Sequence, residues 1–221
     1  LYNQPLCYIR RPTSTTSSRC TAVAQPPSGS NGVMPTIYSS ESPVLASRPS
    51  PSTLLLTLNR PTSRNAVTGD MIFILAAQLD LASRDRTVRA VVITGNPAGR
   101  AFCAGADLSP GTSGFAGARA KKGGFAGSSR ADSRDAGGYS SLAALRCTKP
   151  TIAAINGAAV GWGLALPLAC DIRIAAEDAK VGFTMAARGL VNESLSSYLL
   201  PRLVGAGVAK ELVFTGRVFR A

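Results

Sequence analysis

The sequence predicts an α/β domain, and three observations carry that expectation. Residues 53–58 (Thr-Leu-Leu-Leu-Thr-Leu) and 88–94 are apolar runs of strand length. Between them, residues 69–84 set Ile72, Leu75, Leu79 and Ala82 at helical spacing. Residues 150–171 then read as strand, glycine-rich turn and helix in succession. Their apolar run 151–155 is entered by Pro150 and closed by the turn signal Asn156-Gly157. Gly161-Trp162-Gly163 opens a second apolar segment, whose small residues suit a tightly packed helix. Such an arrangement aims unpaired backbone N–H groups at one spot, where an anion or a polarised carbonyl oxygen is welcome. A buried strand and helix with no ligand satisfies the same pattern.

Residues 151–170 also carry no charge over a length sufficient to cross a bilayer. Asn156, Pro167 and the three glycines 157, 161 and 163 make a poor membrane helix, so a buried core segment is expected and no membrane span.

Composition removes whole classes of chemistry. The 221 residues suit one domain with an ample core. There is no histidine, which excludes Ser-His-Asp and Cys-His catalysis and any His-ligated metal. Acid–base work therefore falls to the twelve carboxylates, a Lys, a Tyr or a Cys. The five cysteines (7, 20, 103, 147 and 170) are odd in number and lack metal spacing, so they read as reduced thiols, three of them buried. A net charge of +12 permits nucleic-acid binding, but no basic helix or aromatic-basic strand pattern supports it. A basic organellar protein with an anionic ligand accounts for the charge equally well.

Taken in order, residues 1 to about 50 are rich in Ser, Thr and Pro, carry Arg10, Arg11, Arg19 and Arg48, and have no acid before Glu41. They resemble a transit segment, are expected to be disordered, and leave residues 51–221 as the folded domain. After the strand 53–58, Asn59-Arg60-Pro61 reads as a turn leading to the helix 69–84. The strand 88–94 ends at Gly95-Asn96-Pro97, and residues 100–108 (Arg-Ala-Phe-Cys-Ala-Gly-Ala-Asp-Leu) form a compact loop of small residues. Residues 109–138 are rich in Gly, Ser and Ala and are expected to be a mobile insertion. A helix is expected over 139–145, strands over 171–175 and 181–183, and helices over 199–204 and 208–214.

Residues 100–108, the stretch from Lys149-Pro150 to Asp171, and Arg188-Gly-Leu-Val-Asn-Glu-Ser-Leu-Ser-Ser197 together resemble the enoyl-CoA hydratase/isomerase (crotonase) superfamily. Asn59-Arg60-Pro61 followed by Asn65-Ala66 fits the family's opening strand and turn. The resemblance covers residues 54–221. It implies a spiral of ββα units, acyl-CoA thioester substrates, a homotrimer, and no cofactor beyond the coenzyme A carried by the substrate. It also implies C-terminal helices packing between subunits, which this chain lacks, so the chain is expected to be a piece of a longer protein.

The resemblance further implies the site. Two backbone N–H groups hold the thioester oxygen as it gains charge, and they map to Ala106 and Trp162. Ala104, Gly105, Asp107, Leu108, Gly161 and Gly163 are implied to flank the substrate. The two glutamates that share a water in hydratases map to Ala165 and Met185, neither of which moves a proton. Glu193 instead matches the single catalytic glutamate of Δ3,Δ2-enoyl-CoA isomerases. Isomerases often carry a glycine after that acid, and here Ser194-Leu195 follows.

Alternatives stay open at each position. Glu193 also suits a plain carboxylate at a helix N-terminus. The Trp162 indole either lines the acyl pocket or packs in the core. Asp107 and Asp171 also read as loop and turn residues. Arg60, Arg64, Lys121 and Lys122 are candidates for the phosphates of coenzyme A, although a lysine pair in a loop is commonly just solvated. The expected activity is Δ3,Δ2-enoyl-CoA isomerisation in β-oxidation, in the peroxisome or the mitochondrial matrix. Hydration or another reaction of the family is the enzymatic alternative, and a non-catalytic acyl-CoA-binding member is the other.

Overall fold

The computed structural model describes residues 41–109 and 136–221. Its first strands are β1 (Val44–Ser50) and β2 (Thr53–Leu58), which pair antiparallel. The helix α1 (Gly69–Arg84) follows, with the strands β3 (Ala90–Gly95) and β4 (Ala101–Cys103) after it. The helix α2 (Ala136–Arg146) leads to β5 (Thr151–Ile155), β6 (Ala158–Val160) and the short helix α3 (Trp162–Leu168). The remaining elements are β7 (Ile172–Ala175), β8 (Lys180–Gly182), α4 (Ser196–Val204), α5 (Ala206–Thr215) and β9 (Val218–Arg220).

Two sheets arise because successive strand pairs turn a corner. One sheet has the order β1-β2-β3-β5-β7, the other β4-β6-β8-β9. In each of the pairs β3/β4, β5/β6 and β7/β8 the first strand joins the large sheet and the second joins the small one. Successive pairs stack in parallel, Val91 on Thr151 and Ile152 on Ile172 in one sheet, Ala101 on Ala158 and Ala159 on Val181 in the other. This is the spiral of ββα units that the sequence leads one to expect. Its consequence for function is positional: the loops that leave β4 and β6 emerge side by side.

The strands are short and small-sided where they turn, while α1 fills the wide face. Met71, Ile72, Leu75, Leu79 and Ala82 of α1 are buried with Leu54, Leu56, Leu58, Val91 and Ile93 of the large sheet. Thr68 caps the helix by accepting from the Met71 N–H, and Asp70 sits in its first turn, where the macrodipole favours an acid.

Four expectations are corrected. Chain order extends further toward the N-terminus than residue 51, because Val44–Ser50 pairs with β2 and buries Val44 completely. An edge strand with an exposed outer face has weak alternation, which hid it; residues 1–40 lie outside the described residues. The turn after β5 leads to a strand, Ala158–Val160, before the helix begins. Val218–Arg220 forms a further strand, beside β8. The helix expected over 139–145 starts at Ala136, through the pair Gly137-Gly138. Lys121 and Lys122, with most of the expected insertion, lie outside the described residues.

A buried amide ties these layers together. Asn65 is wholly buried, in a left-handed conformation (φ 56°) that asparagine tolerates better than most residues. Its Nδ2 donates to the Asn96 carbonyl at 3.0 Å and to the Ala101 carbonyl at 2.8 Å, and its Oδ1 accepts from the Arg60 N–H at 3.2 Å. Asn65→Ala removes hydrogen bonds to three backbone groups; the Asn96 carbonyl keeps the Gly99 N–H, while the Arg60 N–H and the Ala101 carbonyl each lose a partner, at about 1–3 kcal/mol per group. The variant is expected to lose about 2 kcal/mol or more of stability, read as a lower urea midpoint at unchanged m-value.

Candidate functional site

The site begins with the turn after β2. The Val67 N–H donates to the Gly105 carbonyl, and the Asp107 N–H donates to the Val67 carbonyl, both at 2.8 Å. The peptide between Gly105 and Ala106 is trans, so its carbonyl and its N–H point in opposite directions. With the carbonyl held toward Val67, the Ala106 N–H faces away from it. Arg60 strengthens the same clamp, spanning the Asp107 carboxylate at 2.6 Å and the Ala66 carbonyl at 2.8 Å with Nη1. The Ala104 N–H donates to the Arg64 carbonyl at 3.1 Å.

The second half lies at the start of α3. The N–H groups of Leu164 and Ala165 reach back to the Gly161 carbonyl, while the first amide of the helix, on Trp162, has no intrahelical acceptor. Neither the Ala106 nor the Trp162 amide has a hydrogen-bond acceptor among the described residues. The two segments run close together: a Cβ on Gly161 would come into ordinary van der Waals contact, at 3.8 Å, with the Gly105 Cα. Gly161 has φ 56° and ψ −124°, a combination that side chains resist, so glycine there is a conformational requirement. Gly163, also buried, packs the first turn of α3 on Cys103.

Glu193 lies in the loop before α4. Its carbonyl is held twice, by the Ser196 N–H at 3.0 Å and the Ser196 Oγ at 2.5 Å. Ser194 and Leu195 follow with φ 59° and 63°, both in the left-handed region. Each such residue costs about 1–2 kcal/mol relative to glycine or an unstrained backbone. Two side-chain-bearing residues thus carry backbone strain directly after Glu193. Ser194 is fully buried and reaches Trp162 across Gly137 of α2, which brings the loop of the acid against the residue that offers the second amide.

The remaining residues sort plainly. Ala165 is wholly buried and Met185 is 4% exposed, so both are apolar walls. Asp107 is a loop clamp: hydrogen bonds from Ser109, first its N–H at 2.9 Å, and the Arg60 guanidinium hold its carboxyl below the usual range. Arg60 is engaged inside the protein rather than presented to a phosphate. Arg64 and Leu108 are exposed. Asp171 accepts from the N–H and Oγ1 of Thr151 at 2.7 and 2.8 Å, fastening β5 to the turn before β7. Cys103 and Cys170 are buried and their thiols are pushed up to about 12 by desolvation, which leaves no nucleophilic thiolate, and Cys147 is half-buried. Trp162 is 1% exposed, and its Nε1 has no partner.

Sequence reasoning missed Gly137 and underrated Asn65. The paired glycines at 137 and 138 were the available signal, because glycine inside a helix asks for a packing reason.

Comparisons with known proteins identify the family. Residues 50–221 match the family model described as enoyl-CoA hydratase/isomerase. The enoyl-CoA hydratase ACTT3 of Alternaria alternata is 44% identical over 167 residues, covering 76% of this chain and 52% of that protein. A solved probable enoyl-CoA hydratase/isomerase from Mycobacterium abscessus is 41% identical, with a TM-score of 0.67 over 81% of this chain and 65% of that one. A monofunctional enoyl CoA isomerase from M. smegmatis is 36% identical, with a TM-score of 0.61 over 81% and 70%. The chain thus spans about half the length of the curated relative it matches.

The clamp at Asp107 has a pH signature. Its carboxyl is depressed in the folded state, so its contribution is fully present above the unfolded value of about 3.9 and is lost as pH falls through the folded value. Thermal unfolding of the parent and of Asp107→Asn should differ most at neutral pH and converge below about pH 4. Asp85, which is also depressed, titrates alike in both proteins and cancels from the difference.

Proposed function

The chain belongs to the enoyl-CoA hydratase/isomerase family, and from that premise we propose that it isomerises 3-enoyl-CoA thioesters of fatty-acid β-oxidation to their 2-enoyl isomers. One observation carries the choice of reaction. The positions where hydratases of the family hold two acids are the buried apolar residues Ala165 and Met185, which leaves Glu193 as the acid of the site loops. Moving a double bond from C3–C4 to C2–C3 needs one base that takes the C2 proton and returns it at C4. One carboxylate is enough. Hydration needs a water activated and a proton delivered, and among the described residues of the site loops the one other acid, Asp107, is tied to Arg60 and Ser109.

In this mechanism the amides of Ala106 and Trp162 bind the thioester oxygen and take up its charge as the dienolate forms. A donor of this kind typically contributes about 10²–10³ in rate. Both amides are fixed before substrate arrives, one by the Val67 ladder and one by the helix start, so little reorganisation accompanies charge development. A homotrimer is part of the proposal, and the exposed apolar side chains Val191, Tyr198, Val208 and Phe214 support it.

A hydratase is the second reading, favoured by the name of the Alternaria relative, whereas the M. smegmatis structure is named an isomerase. Glu193→Gln in the full-length protein separates them. Isomerisation of a 3-enoyl-CoA is expected to fall about 10²–10⁴-fold, with acyl-CoA affinity retained because both amides remain. Near-normal isomerase turnover in the variant, or efficient hydration of a 2-enoyl-CoA by the parent, would sink the assignment.

A further inference from the structure

We infer that Gly137 is a positioning residue for this reaction: its bare Cα lets α2 dock against the amide donor and the base loop at the same time, and so sets their separation. The inference rests on the site reading given above. Gly137 lies buried in the first turn of α2. A methyl group there would overlap the Ser194 Oγ and stand 2.7 Å from the Trp162 Cδ1 and 3.0 Å from the Ser194 Cβ. Non-bonded atoms do not approach a side-chain carbon so closely without something moving.

Three features make this contact consequential. First, the Trp162 indole is 1% exposed and its Nε1 has no hydrogen-bond partner among the described residues, so packing rather than a hydrogen bond to them holds it. Its position therefore depends on what it touches, and its own backbone carries one of the two amides. Second, Ser194 is the residue after Glu193 and already sits at a left-handed φ of 59°. A push on its side chain is transmitted to the peptide that orients the acid. Third, glycine is a poor helix residue, and alanine would favour α2 on propensity alone. The local preference of the helix and the need of the site oppose each other at this position, and the site prevails. The Ser140 Oγ, donating to the Gly137 carbonyl at 3.0 Å, steadies that turn of the helix.

Trp162 is the only tryptophan in these 221 residues, and any tryptophan beyond them contributes alike to parent and variants, so the difference in emission reports this junction. The test compares full-length parent, Gly137→Ala, and Gly137→Ala with Ser194→Gly, which removes the hydroxymethyl group the added methyl would strike. In Gly137→Ala the emission should move to longer wavelength. The kcat for a 3-enoyl-CoA should fall about 10–10²-fold while KM changes by less than about threefold, as a misplacement below an ångström would give. The double variant should recover the parent emission and most of kcat. A merely structural glycine would lower the amount of folded protein and leave the kcat of that folded fraction intact.

Unchanged emission and kcat in Gly137→Ala overturn the inference, as does shifted emission with normal kcat, or a lost kcat that Ser194→Gly does not restore. Should Gly137→Ala fail to fold, the double variant decides: folded and active supports the role, folded and inactive refutes it. A parent without isomerase turnover overturns the reaction assignment instead, and the emission series still decides whether Gly137 sets the Trp162–Ser194 contact.

Discussion

The structure depends on how one carbonyl is held. When Val67 takes the Gly105 carbonyl, the geometry of a trans peptide leaves the Ala106 N–H facing the other way. Everything around that bond keeps it from rotating. Arg60 grips Asp107 on one side, Asn65 ties Asn96 and Ala101 on the other, and the Ala104 N–H reaches the Arg64 carbonyl between them. An amide meant to stabilise charge is useful only if it is already aimed, because a donor that must turn toward the oxygen gives back in reorganisation part of what it gains. The turn between β2 and α1 thus does a structural task that also serves the proposed chemistry.

The ββα spiral supplies the second amide by repetition. Because each strand pair turns from the large sheet to the small one, the loops after β4 and β6 leave in the same direction from neighbouring strands. Gly105 and Gly161 lie where the two loops run close, an added Cβ on Gly105 standing 3.1 Å from the Val160 carbonyl oxygen. The acid comes from elsewhere, on a loop anchored by Ser196 to the start of α4. Such a division suits a fold on which the amide pair stays constant and the acid–base groups vary.

Much of this was legible in the residues, for identifiable reasons. The helix 69–84 has a clean apolar stripe with a threonine cap, and its ends coincide with those of α1. The strands of the large sheet are long enough to show as apolar runs. The small sheet was hard to see because its strands are three residues long, and Ala158-Ala159-Val160 reads equally well as the start of a helix. β1 was hidden by its Ser, Arg and Pro residues, which are tolerable on the exposed face of an edge strand. Among candidate site residues, the family resemblance implied Ala106, Trp162 and Glu193 but said nothing of their relative positions. Arg60 looked free to meet a phosphate because charge alone does not reveal a partner 47 residues away, and Asp107 is that partner.

The loop after Glu193 shows how a sequence departure is absorbed. Where the family often has glycine, this chain forces serine and leucine into the left-handed region, at about 1–2 kcal/mol each. Strain of that size persists only where the surroundings leave no alternative. Here the alternatives are closed on both sides. The Glu193 carbonyl is fixed to Ser196, and Leu195 must present its own carbonyl to Tyr198 and Leu199 for α4 to begin. Ser194 is wholly buried beside Gly137 of α2, close to Trp162, which leaves its side chain little room to follow a change of φ. The departure from glycine thus raises the energy of the folded state, while the contacts around Ser194 and Ser196 hold the loop that carries Glu193, the proposed base, in place.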